Sequence, residues 1–394
     1  MFTLNQYPHL KPDINGGLLI ENISYRDIVE EFGTPVYIYS SRRIRENCET
    51  IRRVFDTAFR NKIFYSYKTN ANPQICRIIH ENGIGAEVIS GSELEAAVRN
   101  KVEPDMIIFD GPYKPLNTVR KAVEYGVRLI NADSLDELKL IDSVAGEMGV
   151  MQKVGLTLNP DSDSKIGIDL DTSVKKLGEY VKKLVNIKLS ALHCHIRTQN
   201  SNLDSYLETL KHMSELSKKI SAETGCEISV FDLGGGLPEA AIIGKKINYL
   251  STCIREHEQY LDECDELYFE PGRFIVGDSA VLLTKILNIK NIRDRKWIIV
   301  DAGSNIISPL SKANYRFTIA NRLLDDYSEK YSIGGPLPAS FDVLNRSYCL
   351  PERIDVGDYV AILNAGAYCS SFAIRFEERN STSILVEDGG VTRI

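Results

Sequence analysis

Between about residues 60 and 275, eight short apolar runs alternate with stretches of helical periodicity, and this alternation constrains the fold more than any other feature. The runs are 63–67, 86–89, 106–109, 127–130, 154–158, 189–196, 228–233 and 267–270. Helical spacing follows at 73–82, 92–100, 116–125, 135–145 and 205–224. Repeated strand-then-helix order implies a parallel sheet, because each helix carries the chain back to the end where the next strand starts. Eight such units fit a closed TIM (β/α)8 barrel. An open doubly wound sheet is the competing arrangement.

Beyond Gly277 the texture changes. Residues 280–289, 297–301, 353–365 and 382–386 read as strands, separated by glycine, proline and polar residues. One helical stretch is expected at 311–330. Strand-like Val36-Tyr37-Ile38-Tyr39 lies within the first forty residues. The expectation is an α/β chain with a barrel over 41–276. A mostly β domain over 277–394 would also take up 1–40.

Composition narrows the function classes. Hydrophobic residues make up 43% and charged residues 26% of 394, enough for a core without disulfides or structural metals. A net charge of −7 without a Lys/Arg run argues against nucleic acid as a partner. The 8 cysteines are scattered without metal-ligand spacing, and free thiols in a reducing compartment are expected. No cationic leader or membrane-length apolar run is present, so the expected location is cytoplasmic, away from membranes.

In a TIM barrel, chemistry gathers at the C-terminal ends of the strands. The first run leads straight to Lys68; a lysine closing a strand is often merely solvated. The seventh leads to Gly234, Gly235 and Gly236, a backbone that can approach an anion closely or simply turn. The eighth ends Glu270-Pro271-Gly272-Arg273. Arginine suits phosphate oxygens, and an ordinary ion pair is the plainer alternative. In the sixth, His193 and His195 share a face. No third ligand lies nearby in sequence, so no metal is expected. His193 reads as a hydrogen-bonded core residue, and His195 as a ring packed flat on an aromatic cofactor.

In combination these pieces resemble the fold type III pyridoxal-phosphate decarboxylases, the diaminopimelate, ornithine and related enzymes. The matching segments are 64–70, 85–94, 164–167, 192–195, 232–236, 270–273, 301–303, 357–358 and 366–368. The resemblance runs from about residue 34 almost to the end. It implies pyridoxal 5'-phosphate (PLP) as cofactor, carried by Lys68 as a Schiff base. His195 would stack on the ring and Glu270 would face its nitrogen. Glu87 and Glu93 would support lysine and ring. Gly234, Gly235, Gly236, Arg273 and Tyr368 would hold the phosphate, and Thr198 and Gly272 would also contact the cofactor. A homodimer is also implied. Lys68, His195, Glu270 and Asp342 are the expected catalytic groups.

Departures from that family gather on the substrate side. Pro338 and Ala339 stand where the diaminopimelate branch has Cys-Glu. Ser308 replaces an arginine that grips a substrate carboxylate, and Thr157 replaces a strand arginine. Arg197 and Thr198 replace Gly-Ser. Arg197, Ser308, Ser340 and Asp342 are the expected substrate contacts. A serine cannot reproduce a bidentate arginine clamp. The expected reaction is therefore α-decarboxylation of a modified, conjugated or carrier-bound amino acid, as in siderophore or other natural-product biosynthesis. Cys369, Lys68 or water would return the proton. A PLP racemase and a catalytically silent regulatory or binding relative are the rival readings.

Overall fold

The computed structural model describes residues 4–55, 60–161, 163–377 and 380–394. They form two units, one of 48–238 and 245–272, the other of 4–47, 239–244 and 273–394.

The first unit is a closed barrel of eight parallel strands. In chain order these are Arg60–Ser66, Gly85–Val88, Ile107–Phe109, Leu129–Ala132, Gln152–Thr157, Ile187–His193, Val230–Asp232 and Glu266–Phe269. The eighth closes onto the first, with Phe269 opposite Ile63. All eight expected runs lie in or against these strands. The inner strands are buried on both faces, so they read as unbroken apolar runs rather than alternating ones. Phe64, Ile108, Leu129, Ala191, Val230 and Tyr268 fill one interior layer. Gly85 makes room for it: a Cβ there would lie 2.6 Å from the Phe64 ring.

Side-chain caps hold the strand-to-helix turns at the C-terminal rim. Asn72 accepts from the Gln74 amide at the start of Pro73–Glu81. Ser90 caps Gly91–Arg99, while the Glu93 carboxylate reaches back to the Ile89 amide at 2.8 Å. Ser134 and Glu137 repeat the device ahead of Leu135–Met148. Each turn is thereby stiffened next to the strand end that carries chemistry.

The second unit is mostly β. Its long strand Ala280–Ile292 pairs antiparallel with Val36–Ser40, Tyr359–Leu363 and Arg295–Val300. Thr382–Glu387 lies parallel to Val36–Ser40, so the N-terminal segment is threaded into the sheet. The expected helix at 311–330 is absent. Its place is taken by a 3-10 turn Pro309–Ser311, the strand Arg316–Ile319 and the start of Glu329–Gly334. Lys312 has φ 53°, outside the helical range, and Arg316–Ile319 pairs with Tyr359–Leu363. Long-range pairing outweighs the local helical preference of that stretch. Residues 41–47, 239–244 and 273–276, counted with the barrel in sequence, belong to this unit. Buried Asp278 gathers them, accepting from the side chains of Arg43 and Asn47 and from the Ala241 amide.

All eight cysteines are free. Among the described residues, no helix is long and apolar enough to cross a membrane.

Candidate active site

The first barrel strand gives way after Ser66 to a 3-10 turn, Tyr67–Thr69, which presents Lys68 at the rim. Glu87 lies opposite Ser66 on the next strand and is fully buried. Both its oxygens take the Lys68 ammonium, each at 2.8 Å, and one also accepts the Ser66 hydroxyl. A buried carboxylate is tolerable only when paired in this way. Lys68 is therefore aimed by a partner that the barrel wall holds rigidly.

Four further strand ends converge beside it. Asp110 follows the third strand, His193 ends the sixth, Asp232 ends the seventh and Glu270 follows the eighth. All four are buried. The Nε2 atom of His193 lies 3.7 Å from Asp110 Oδ2 and 3.6 Å from Glu270 Oε1. These atoms and Asp232 Oδ2 have no hydrogen-bond partner among the described residues. Asp110 is steadied through its other oxygen by Asn131 at 2.7 Å, and Asp232 by the Gly234 amide at 2.9 Å.

Crowding of buried acids spreads their proton affinities. Burial, followed by Asp110, Asp232 and Glu87, pushes Glu270 well above the carboxylate range, with Lys68 opposing. Burial also lifts Asp232 to about 6, aided by Asp110 and Glu87 against His193. Against burial, attraction to His193 holds Asp110 below its ordinary value. His195, two residues past its strand, is brought down to about 3 by burial and then by Lys68 and His193. Its imidazole is thus neutral.

Glu93 is raised to about 7, first by burial and then by Glu87. An acid with a raised folded-state value contributes stability below its unfolded value and loses it as pH climbs through the raised one. Glu93→Gln keeps an acceptor for the Ile89 amide and removes the titration. Urea unfolding of the variant should therefore show less loss of stability than wild type between about pH 4.5 and 7. Parallel pH profiles for the two proteins would contradict this.

The turn after the seventh strand is closely packed. Gly234 and Gly236 have φ of 62° and 93°. A Cβ would lie 2.9 Å from the Cys194 carbonyl oxygen at Gly234, 2.6 Å from the Glu270 carbonyl oxygen at Gly235, and 2.0 Å from the Arg197 carbonyl oxygen at Gly236. Tyr206 and the Asn200 amide fix the turn through the Gly235 and Gly236 carbonyls, at 2.7 and 2.8 Å. Among the described residues, the amides of Gly235 and Gly236 find no acceptor within the chain. Gly272 is equally confined, its Cβ position lying 2.1 Å from the Thr69 hydroxyl. Arg197 and Thr198 are exposed.

In the β unit, Arg273 is buried with its guanidinium 5.0 Å from the Tyr368 ring centre. It pairs with Glu239 at 3.2 Å and donates to the Ser311 carbonyl. Tyr368 has φ 61°, a strained value for a tyrosine and a frequent mark of functional loops. Ser308 is fully buried and caps Pro309–Ser311. Ser340 is exposed. Asp342, expected among the catalytic and substrate groups, spends its carboxylate on the Ser304 and Leu337 amides at 2.6 and 2.8 Å. Gly303 and Gly335 press against it too closely for a Cβ. Its carboxylate thereby clamps the loop. Burial pushes the Cys369 thiol up to about 12, which suits it poorly to proton transfer.

Asp110 was missed in sequence, although it closes an apolar run as Lys68 and Glu270 do. The same strand-end rule would have found it. His193 reads correctly as a buried hydrogen-bonded residue, with Thr157 Oγ1 3.2 Å from its Nδ1. The carboxylates that surround it were not legible.

A parallel barrel whose rim offers a carboxylate-aimed amine, a neutral imidazole, a buried acid and a Cβ-intolerant glycine turn defines a PLP enzyme of the barrel type. The chain belongs to the pyridoxal-dependent decarboxylases: the pattern of that family's pyridoxal binding domain matches residues 41–277. Diaminopimelate decarboxylase of Aquifex aeolicus is 30% identical, covering 100% of this chain and 96% of the relative. That of Archaeoglobus fulgidus is 33% identical over 90% and 88%. The crystal structure of the M. jannaschii diaminopimelate decarboxylase superposes with a TM-score of 0.90 at 28% identity, covering 98% of this chain and 95% of that one. The protein is thus a PLP-dependent amino-acid decarboxylase, a lyase of amino-acid metabolism. The site fits the cofactor on its own terms. Buried, unpartnered Glu270 Oε1 can serve a ring nitrogen, and the open glycine amides can serve a phosphate.

Proposed function

We propose that this decarboxylase removes the α-carboxylate of a modified, conjugated or carrier-bound amino acid, of the kind used in siderophore or other natural-product biosynthesis, rather than of free diaminopimelate. The observation that carries the catalytic part is the Lys68–Glu87 pair at the barrel rim, 2.8 Å to each carboxylate oxygen. When bound, PLP supplies a protonated aromatic ring that accepts the electron pair left behind as carbon dioxide departs.

Lys68 would anchor the cofactor and, once released, would supply a base at the barrel rim. Glu87 orients its amine and balances the positive charge when Lys68 is protonated. His195, neutral and half-buried, packs against the ring without adding a competing cation. Glu270 holds the proton of the ring nitrogen. Gly234, Gly235, Gly236, Gly272 and Thr198 take the phosphate, a duty that the family resemblance extends to Arg273 and Tyr368. A homodimer is part of this reading.

The substrate part rests on Pro338, Ala339 and Ser308, none of which can read a distal ammonium or carboxylate. Ser308 is further disqualified by its burial and capping bond. Support for a larger substrate comes from a groove of about 310 Å³ beside Arg197, edged by Asp161, Asn200 and Glu208. It offers charges of both signs to a polar appendage.

The test is carbon dioxide release from PLP-loaded protein offered diaminopimelate, ornithine, lysine, arginine and their N-acyl or carrier-linked derivatives. Conjugates should be turned over at least about tenfold faster than diaminopimelate, the loss expected when a carboxylate clamp is missing. Brisk turnover of free diaminopimelate would remove the substrate proposal and leave the decarboxylase intact.

A further inference from the structure

Thr157, His193, Asp110 and Glu270 come from four strand ends and are each under 5% exposed. We propose that His193, its ring locked by Thr157, is a positioning residue that holds the Glu270 carboxylate on the ring nitrogen of the cofactor. This rests on the reading above in which Glu270 faces that nitrogen.

The argument is one of donors and acceptors. Nε2 of His193 is turned toward two carboxyl groups, Asp110 at 3.7 Å and Glu270 at 3.6 Å. Asp110 is held ionised and only accepts, so an imidazole N–H belongs on Nε2. In the neutral ring Nδ1 accepts from the Thr157 hydroxyl 3.2 Å away; in the protonated ring it donates to that hydroxyl, which locks the ring in either state. The lock is specific to a residue with a short hydroxyl at position 157. Asp110 is tied to Asn131 through its other oxygen, whereas Glu270 Oε1 has no hydrogen-bond partner among the described residues. A shift of under about 1 Å would bring its oxygen within hydrogen-bond distance of Nε2.

Glu270 needs such a donor. It faces Asp110, Asp232 and Glu87 as like charges, with Lys68 as the opposing cation. Unaided, a carboxyl in that setting keeps its own proton and offers no charge to a protonated ring. His195 lies on the same rim and is neutral, so it does not supply the missing attraction. The donor from His193 is what tips Glu270 toward the ionised form once the ring is present.

The test loads the protein with PLP labelled with 15N in the ring and follows the nitrogen shift with pH, a direct reading of ring protonation. His193→Leu should lower the midpoint by about two units, a hundredfold loss of proton affinity, and Thr157→Val by about one. His193→Gln places an amide N–H near the Nε2 position and should restore most of the effect. PLP content, read by absorbance, should stay stoichiometric throughout. In the cofactor-free protein, Thr157→Val should also alter the 15N tautomer signature of the His193 imidazole. Glu270→Gln separates the layers of the argument. If it leaves the ring protonated as in wild type, the placement of Glu270 is wrong. If it abolishes ring protonation while His193→Leu and Thr157→Val titrate like wild type, the inference alone is overturned. Should His193→Leu not fold, the contrast between Thr157→Val and Thr157→Ser decides the matter. Stoichiometric uptake of Zn2+ by the cofactor-free protein, abolished by His193→Gln, would also overturn it by making the three side chains metal ligands.

Discussion

Replacing Lys68 by alanine should strip the protein of its covalently held cofactor and cut decarboxylation by at least about a thousandfold. The visible absorbance of the purified protein should vanish, and PLP should leave on dialysis. The cause is loss of the one amine that Glu87 aims at the rim. A second consequence follows from burial. Glu87 is fully buried, and without the ammonium it keeps, among the described residues, only the Ser66 hydroxyl and a crowd of other acids. Breaking a buried pair from one side costs about 3–5 kcal/mol when the remaining charge cannot relax. Lys68 is partly open to solvent and Glu87 can take up a proton, so the loss in the cofactor-free protein should be smaller, about 1–2 kcal/mol. Adding Glu87→Gln should return part of it, because the double variant leaves no stranded charge. A Lys68→Ala protein that stays coloured and keeps PLP through dialysis would contradict the catalytic reading outright.

The second large effect is expected at Gly236. Alanine there would place a Cβ 2.0 Å from the Arg197 carbonyl oxygen on a backbone with φ 93°. Neither atom is the end of a flexible side chain, and the Asn200 amide and Tyr206 hydroxyl brace the same turn. Relief requires the turn to open. Gly236→Ala should therefore cost about 3 kcal/mol or more in urea unfolding and weaken PLP binding at least about tenfold. Pyridoxal without its phosphate provides the control. If the turn acts through phosphate, affinity for pyridoxal should fall much less than affinity for PLP. Equal losses for the two would assign the turn a purely structural role.

The barrel was legible almost to the residue, and for a physical reason. Strands buried on both faces must be apolar throughout, so their signal is local and strong. The helix Leu116–Tyr125 coincides with its expected span. The fourth strand begins at Leu129 rather than at Val127, because the Val127 amide still caps the preceding helix through the Ala122 carbonyl. In the β unit the signal weakens. Val343–Leu350 is half-exposed along most of its length, and its partner Glu329–Gly334 lay partly inside a stretch with helical character. Strands of this kind owe their state to a neighbour, which no local pattern records.

Sequence alone determined the strand–helix alternation, the amine after the first strand, the glycine turn after the seventh and the acid after the eighth, because each depends on its immediate neighbours. Tertiary structure alone decided that Asp110, Asp232 and Glu270 crowd around His193, that Glu87 grips Lys68 with both oxygens, and that Asp342 is a loop clamp. Those groups are tens to hundreds of positions apart along the chain. Only closure of the barrel sets the distances between them, and burial then sets which of them keeps a proton.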